Sequence, residues 1–183
     1  MERLPPSPGL PHGRAPAARR ARRRAPGIAV ATILSLGLVA PTAPASAQKV
    51  RITGLSDVDF GLITNLQADN RRSQNLCLFS NSPNGAYSVV ASGSGPGGSF
   101  ALGNGSSSLA FDVEWSPQSG QTSGTRLSAN SPLTGQASAA THQFCNSGPA
   151  TSASLTVVLR AAELSRAREG LYSGSLTLLI AAE

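Results

Sequence analysis

The chain has little charge, few aromatics and almost no lysine. Only 13% of its residues are charged and 4% aromatic, and Lys49 is its one lysine. It has two histidines and two cysteines in 183 residues. No stretch repeats the 3.6-residue apolar period of a long amphipathic helix, which argues against a helical bundle. The most apolar run, Ile28 to Ala40, has 13 residues, too few for a comfortable membrane span. Past residue 47 only His142 is available as an imidazole, and no Gly-x-Ser-x-Gly elbow occurs. Hydrolytic chemistry therefore has no visible constellation. Asp57 and Asp59, two apart on an extended piece, project to one face and read as solvated carboxylates before they read as a calcium site. No metal, cofactor or catalytic residue is expected.

What charge there is sits unevenly. Residues 1–47 hold seven arginines and one glutamate, whereas 48–183 hold eight basic and eight acidic residues. The basic isoelectric point thus belongs to the first segment, and the remainder has no reason to seek nucleic acid. That first segment reads as an export signal. Arg14, Arg19, Arg20 and Arg22 to Arg24 precede the apolar run, and Ala45-Ser46-Ala47 supplies the small residues of a cleavage site between Ala47 and Gln48. An exported chain with two cysteines, Cys77 and Cys145, is expected to join them. A buried thiol pair and a metal pair are the weaker readings.

Residues 48–183 are the length of one domain. Short alternating stretches dominate. Val50 and Ile52 alternate with Lys49 and Arg51, and Leu76 to Phe79 and Ala86 to Ala91 follow as strands. In Leu109 to Trp115 the odd positions are apolar, while Asp112 and Glu114 are expected to face solvent. The sequence predicts a polar loop over Asn65 to Asn75 with Arg71-Arg72 at its tip. It predicts an inward face of Leu155, Val157 and Leu159 and one or two helical turns within Ala161 to Arg168. Trp115 is expected in the core. Gly170 to Ile180 closes the series: Tyr172, Leu176, Leu178 and Ile180 share one face at period two. Seven or so such strands with no sustained helical period indicate an all-β sandwich, with a barrel as the alternative. After an apolar last strand the sheet must either close on an earlier strand or leave an edge that templates another chain.

Several pieces of this order resemble the spore coat protein U domain family, which includes the subunits of archaic chaperone–usher pili. They are Leu55 to Gly61 with its Phe60-Gly61, Leu76-Cys77-Leu78, Gly85 to Val89, Leu109 to Trp115, Cys145, and Gly170-Leu171-Tyr172 opening the terminal strand. The resemblance covers nearly all of residues 48–183. It implies an immunoglobulin-like β-sandwich lacking its seventh strand, with Cys77 and Cys145 matching the family's cysteine pair. The groove so left would be bordered by Tyr172, Leu176, Leu178 and Ile180. A periplasmic chaperone would fill it first, and the N-terminal segment of the next subunit would replace it at an outer-membrane usher. Such a fibre serves adhesion or biofilm attachment.

On this reading residues 1–47 are signal, 48–56 a donor or first strand, and 57–183 the pilin domain, exported to the periplasm and cell surface. Val50, Ile52 and Leu55 would be the donor residues. Only about eight residues separate the expected cut from Asp57, so the same residues equally suit the first strand of this domain. The competing reading is a self-contained secreted sandwich whose Gly/Ser/Asn-rich loops and Trp115 bind a carbohydrate.

Overall fold

The computed structural model describes residues 47–183. The expected export signal lies outside the described residues, apart from Ala47, which is exposed.

Ten strands, one α-helical turn and two 3-10 turns (Pro83–Gly85 and Pro96–Gly98) are formed by the described residues: β1 Val50–Thr53, β2 Asn70–Ser80, β3 Ala86–Gly93, β4 Ala101–Gly103, β5 Ser108–Ala110, β6 Asp112–Ser116, β7 Thr125–Arg126, β8 Leu133–Ala137, β9 Ala153–Leu159, α1 Ala161–Leu164 and β10 Leu176–Ala182. One sheet has the order β1-β2-β9-β6-β7 and the other β10-β3-β8, with a small β4-β5 hairpin beside them. All paired strands are antiparallel. The order β1-β2-β9-β6 corresponds to strands A, B, E and D of an immunoglobulin-like sandwich, and β3 and β10 to C and F. The fold is therefore an all-β, immunoglobulin-like sandwich. Among the described residues no strand lies beside β10 in the seventh position, G.

The core forms where the inner faces of the two sheets meet. Leu76 and Leu78 of β2, Tyr87, Val89 and Ala91 of β3, Val113 and Trp115 of β6, and Leu155 and Leu159 of β9 are all buried. Each buried leucine or valine among them contributes about 1.5–3 kcal/mol by leaving water. Trp115 is fully enclosed, as its alternating strand predicts. Its indole N–H donates to the Tyr87 hydroxyl at 3.0 Å, and the two rings meet edge to face with centroids 6.3 Å apart. That bond satisfies a polar atom which burial would otherwise penalise. Burial pushes the Tyr87 phenol up to about 12, with the Trp115 N–H opposing the rise.

Cys77 and Cys145 form a disulfide across 68 positions. Cys145 lies in a tight turn at φ 52°. With Ala140 and Phe79 it makes a second, smaller apolar cluster on the outer side of β2.

Two sequence expectations are corrected here. Asn70 to Asn75 belongs to β2 and not to a loop. Its polar run hid the strand because neither face there meets the apolar core. Arg71, Ser73 and Asn75 lie on the outer face, and Arg72 and Gln74 reach a neighbouring segment. Asp112 and Glu114 do lie on the outer face of β6, yet each is only 6% exposed. Arg71 forks onto Glu114 at 2.9 and 3.2 Å. Arg126 pairs with Asp112, and Arg160 reaches Asp112 at 2.6 Å, Asp69 at 2.7 Å and Glu114 at 3.4 Å. The polar stretch after β6 then folds over this face. Gly120 N–H donates to Asn75, Gln121 N–H to Ser154, and Arg71 to the Thr122 carbonyl. Buried carboxylates persist only when paired in this way. The Ala161 N–H and then the Arg160 guanidinium hold the Asp69 carboxyl below its ordinary range.

Candidate functional site: an apolar cleft beside the last strand

Among the described residues β10 is hydrogen-bonded to one strand. It pairs with β3 from Leu176↔Gly93 to Ala182↔Tyr87. Directly opposed residues of an antiparallel pair share a face. Leu178 therefore sits over Ala91, and Ile180 over Val89, both fully buried. Leu176, Leu178 and Ile180 face the core but remain only half-buried, while Thr177, Leu179 and Ala181 are exposed. Half-burial of inward leucines on an otherwise dry face means that their second side is uncovered.

What lies on that side is a cleft of about 1150 Å³. β10 contributes Leu176 and Leu178 to its wall, and the segment before β10 contributes Tyr172. Leu109, Phe111, Leu155, Val157 and Leu159 make the floor. Phe111 is backed by Phe100, with ring centroids 5.7 Å apart. The approach to β10 is fixed by two backbone bonds between Ser173 and Gly103 at 2.8 and 3.0 Å. Gly174 is required there, because a Cβ would stand 2.9 Å from the Ala101 carbonyl oxygen. Tyr172 is held by its hydroxyl, which accepts from the Arg168 N–H at 3.1 Å.

The opposite wall is a strap, residues 55–64. At Gly54, with φ 86°, the chain leaves the ladder it makes with β2. A side chain is disfavoured at such an angle. Beyond it no ladder forms, and side chains alone hold the strap to β2. Ser56 N–H and Oγ donate to Gln74 Oε1 at 2.9 and 3.1 Å, Gln74 Nε2 returns a bond to the Ser56 carbonyl at 3.1 Å, and Arg72 Nε donates to the Asp59 carbonyl at 3.2 Å. Val58, Phe60 and Ile63 turn toward the core, and Asp57, Asp59 and Leu62 turn out. Four of the chain's exposed large hydrophobics, Leu55, Leu62, Leu66 and Leu171, border this one cleft. Clustering of that kind on a small protein marks an interaction surface.

The structure thus brings Tyr172, Leu176 and Leu178 to one cleft with Leu55. Ile180 lies on the same face of β10, packed on the core beyond the cleft's lining. Val50 and Ile52 lie in β1, hydrogen-bonded to β2 and half-buried on the same core close to β10, but they do not line the cleft. Gln48 is exposed just before β1. The strap was legible as an extended piece, but its place across the cleft was not, since no local signal says which sheet edge a loop will face. Asp57 and Asp59 are exposed, and among the described residues no cluster of three metal-binding side chains exists. No helix of the described residues is long and apolar enough to cross a membrane.

No family profile matches the chain, and no curated protein matches it. Solved structures do. One is a chain from a chaperone–tip adhesin complex described as vital for synergistic activation of CFA/I fimbriae biogenesis, at a TM-score of 0.47 and 14% identity over 74% of this chain and 41% of that one. Another comes from the CsuC–CsuE chaperone–tip adhesion subunit pre-assembly complex of archaic chaperone–usher Csu pili of Acinetobacter baumannii. It matches at a TM-score of 0.38 and 21% identity over 73% of this chain and 39% of that one. The chain spans about two-fifths of the length of each. At these scores neither match assigns it a role.

Proposed function

We propose that this domain is a strand-accepting structural subunit of a chaperone–usher type surface fibre. The observation that carries the reading is the state of β10: an apolar strand, unpaired on one edge among the described residues, whose inward leucines wall an open cleft over the core. An added strand would bond its main chain to that edge and lower alternate side chains into the cleft. This is β-strand addition, in which backbone bonds give affinity and the pockets give specificity. The reading accords with the resemblance to the spore coat U family. In it a periplasmic chaperone fills the cleft first, a neighbouring subunit replaces it at an usher, and the fibre serves attachment. The chemistry is non-covalent throughout.

The carbohydrate-binding alternative loses its main support, because Trp115 is buried and bonded to Tyr87 and offers no stacking face. The test is co-expression with and without a cognate chaperone, combined with titration of a designed peptide of alternating isoleucine and threonine. The reading expects a soluble, protease-resistant domain only with the chaperone or peptide, and a thermal midpoint that rises with peptide. A monomer that resists protease alone and ignores both would refute it.

A further inference from the structure

The residues with the best donor pattern, Val50 and Ile52, do not lie free. Their strand is clasped on both faces. On the inner face Ile52 stands opposite Leu78, which is fully buried, and Val50 opposite Ser80, which is nearly so. On the outer face Arg51 and Thr53 stand opposite Phe79 and Cys77 of the disulfide cluster. The Arg51 guanidinium lies 4.0 Å from the centroid of the Phe144 ring, and Phe144 adjoins Cys145, which the disulfide ties to β2. The start of the strand is pinned as well: Lys49 N–H donates to Asn81 Oδ1, and Asn81 N–H donates to the Lys49 carbonyl at 3.0 Å.

We infer that residues 49–53 are a fixed strand of their own sandwich, so that the strand filling the cleft is a different segment and not this stretch of a second copy. This rests on the strand-accepting reading of the cleft. Donating β1 to a neighbour would strip the four-pair ladder from β2, bare Leu78 to water and pull Arg51 off Phe144. The donor would then lose part of its own core in filling another's. A segment that serves as a donor must be loose before transfer, and every contact of β1 opposes looseness. The subunit then accepts a strand without passing this one on, and fibre growth through residues 49–53 stops at it.

Hydrogen exchange on the exported chain, at low and at high concentration, tests the inference. Amides of residues 50–53 should be protected as well as those of residues 77–80, to the same degree at both concentrations. Phe144→Ala should speed exchange in 50–53 severalfold and leave β9 unchanged. A labelled peptide copying residues 48–55 should fail to bind where the alternating isoleucine–threonine peptide binds. Protection of 50–53 that appears only as oligomers form, or equal binding of the two peptides, would overturn the inference. Binding of neither peptide, with β1 still protected, would remove the strand-accepting reading and the inference with it, so the two failures are told apart.

Discussion

β9 and β10 are each seven residues long and each built mostly from aliphatic residues and threonine. Every residue of β9 is buried, whereas β10 alternates between half-buried and exposed along its whole length. The difference lies in their neighbours. β9 is flanked by β2 and β6, its inner side chains meet the other sheet, and the polar stretch after β6 covers its outer face. β10 has β3 on one side and the cleft on the other. A strand is buried by what surrounds it, and composition only makes that burial affordable. β10 carries the residues of an interior strand in the position of an edge, an arrangement that ordinarily invites a partner.

The comparison can be broken most severely from outside both strands. Replacing Cys77 and Cys145 by serine should cost about 4 kcal/mol, because the link closes a long loop in the unfolded chain, and urea unfolding of the oxidised, reduced and variant proteins checks this. Within the strands, Leu155→Ala in β9 should cost about 3 kcal/mol, because that side chain is only 2% exposed even at the cleft floor. Leu178→Ala in β10 should cost about 1 kcal/mol, since the cleft already leaves that leucine half wet. Equal costs in urea would mean that β10 is covered. With a complementing strand bound, the cost at Leu178 should grow toward that at Leu155, read as a larger loss of midpoint shift.

Smaller effects sharpen the account of the strap. Gln74→Ala removes the paired bonds to Ser56 and should cost about 1 kcal/mol or less, as exposed hydrogen bonds do, while raising proteolytic cleavage within residues 55–64 and leaving cleavage elsewhere unchanged. Smallest is a pH effect. The Asp69 carboxyl lies below its ordinary value in the folded chain, so its contribution is present above pH 4 and is lost as pH falls through the folded value. Asp69→Asn should flatten that part of the acid unfolding curve. At the other end Tyr87 has the opposite sign. Its folded value near 12 exceeds the ordinary 10, so stability should decline as pH climbs from 10 toward 12. Absorbance of the phenolate should show one tyrosine ionising late while the fold persists.

Alternation alone made β3, β6, β9 and β10 readable, because a strand with one dry face must place apolar residues at every second position. The cysteine pair was readable from export and an even count, and the core position of Trp115 from its place in the Leu109 to Trp115 series. The first half of β2 escaped because Arg72 and Gln74 meet a strap where Leu76 and Leu78 meet the core. The burial of Asp112 and Glu114 escaped because three arginines, from β2, β7 and the end of β9, converge on them from positions far apart in the chain. Strand order, the open cleft beside β10, the strap across it and the clasp on β1 were decided by tertiary structure. Each depends on which edges meet, and the two faces of a strand are written in its own residues while the occupants of its two edges are not.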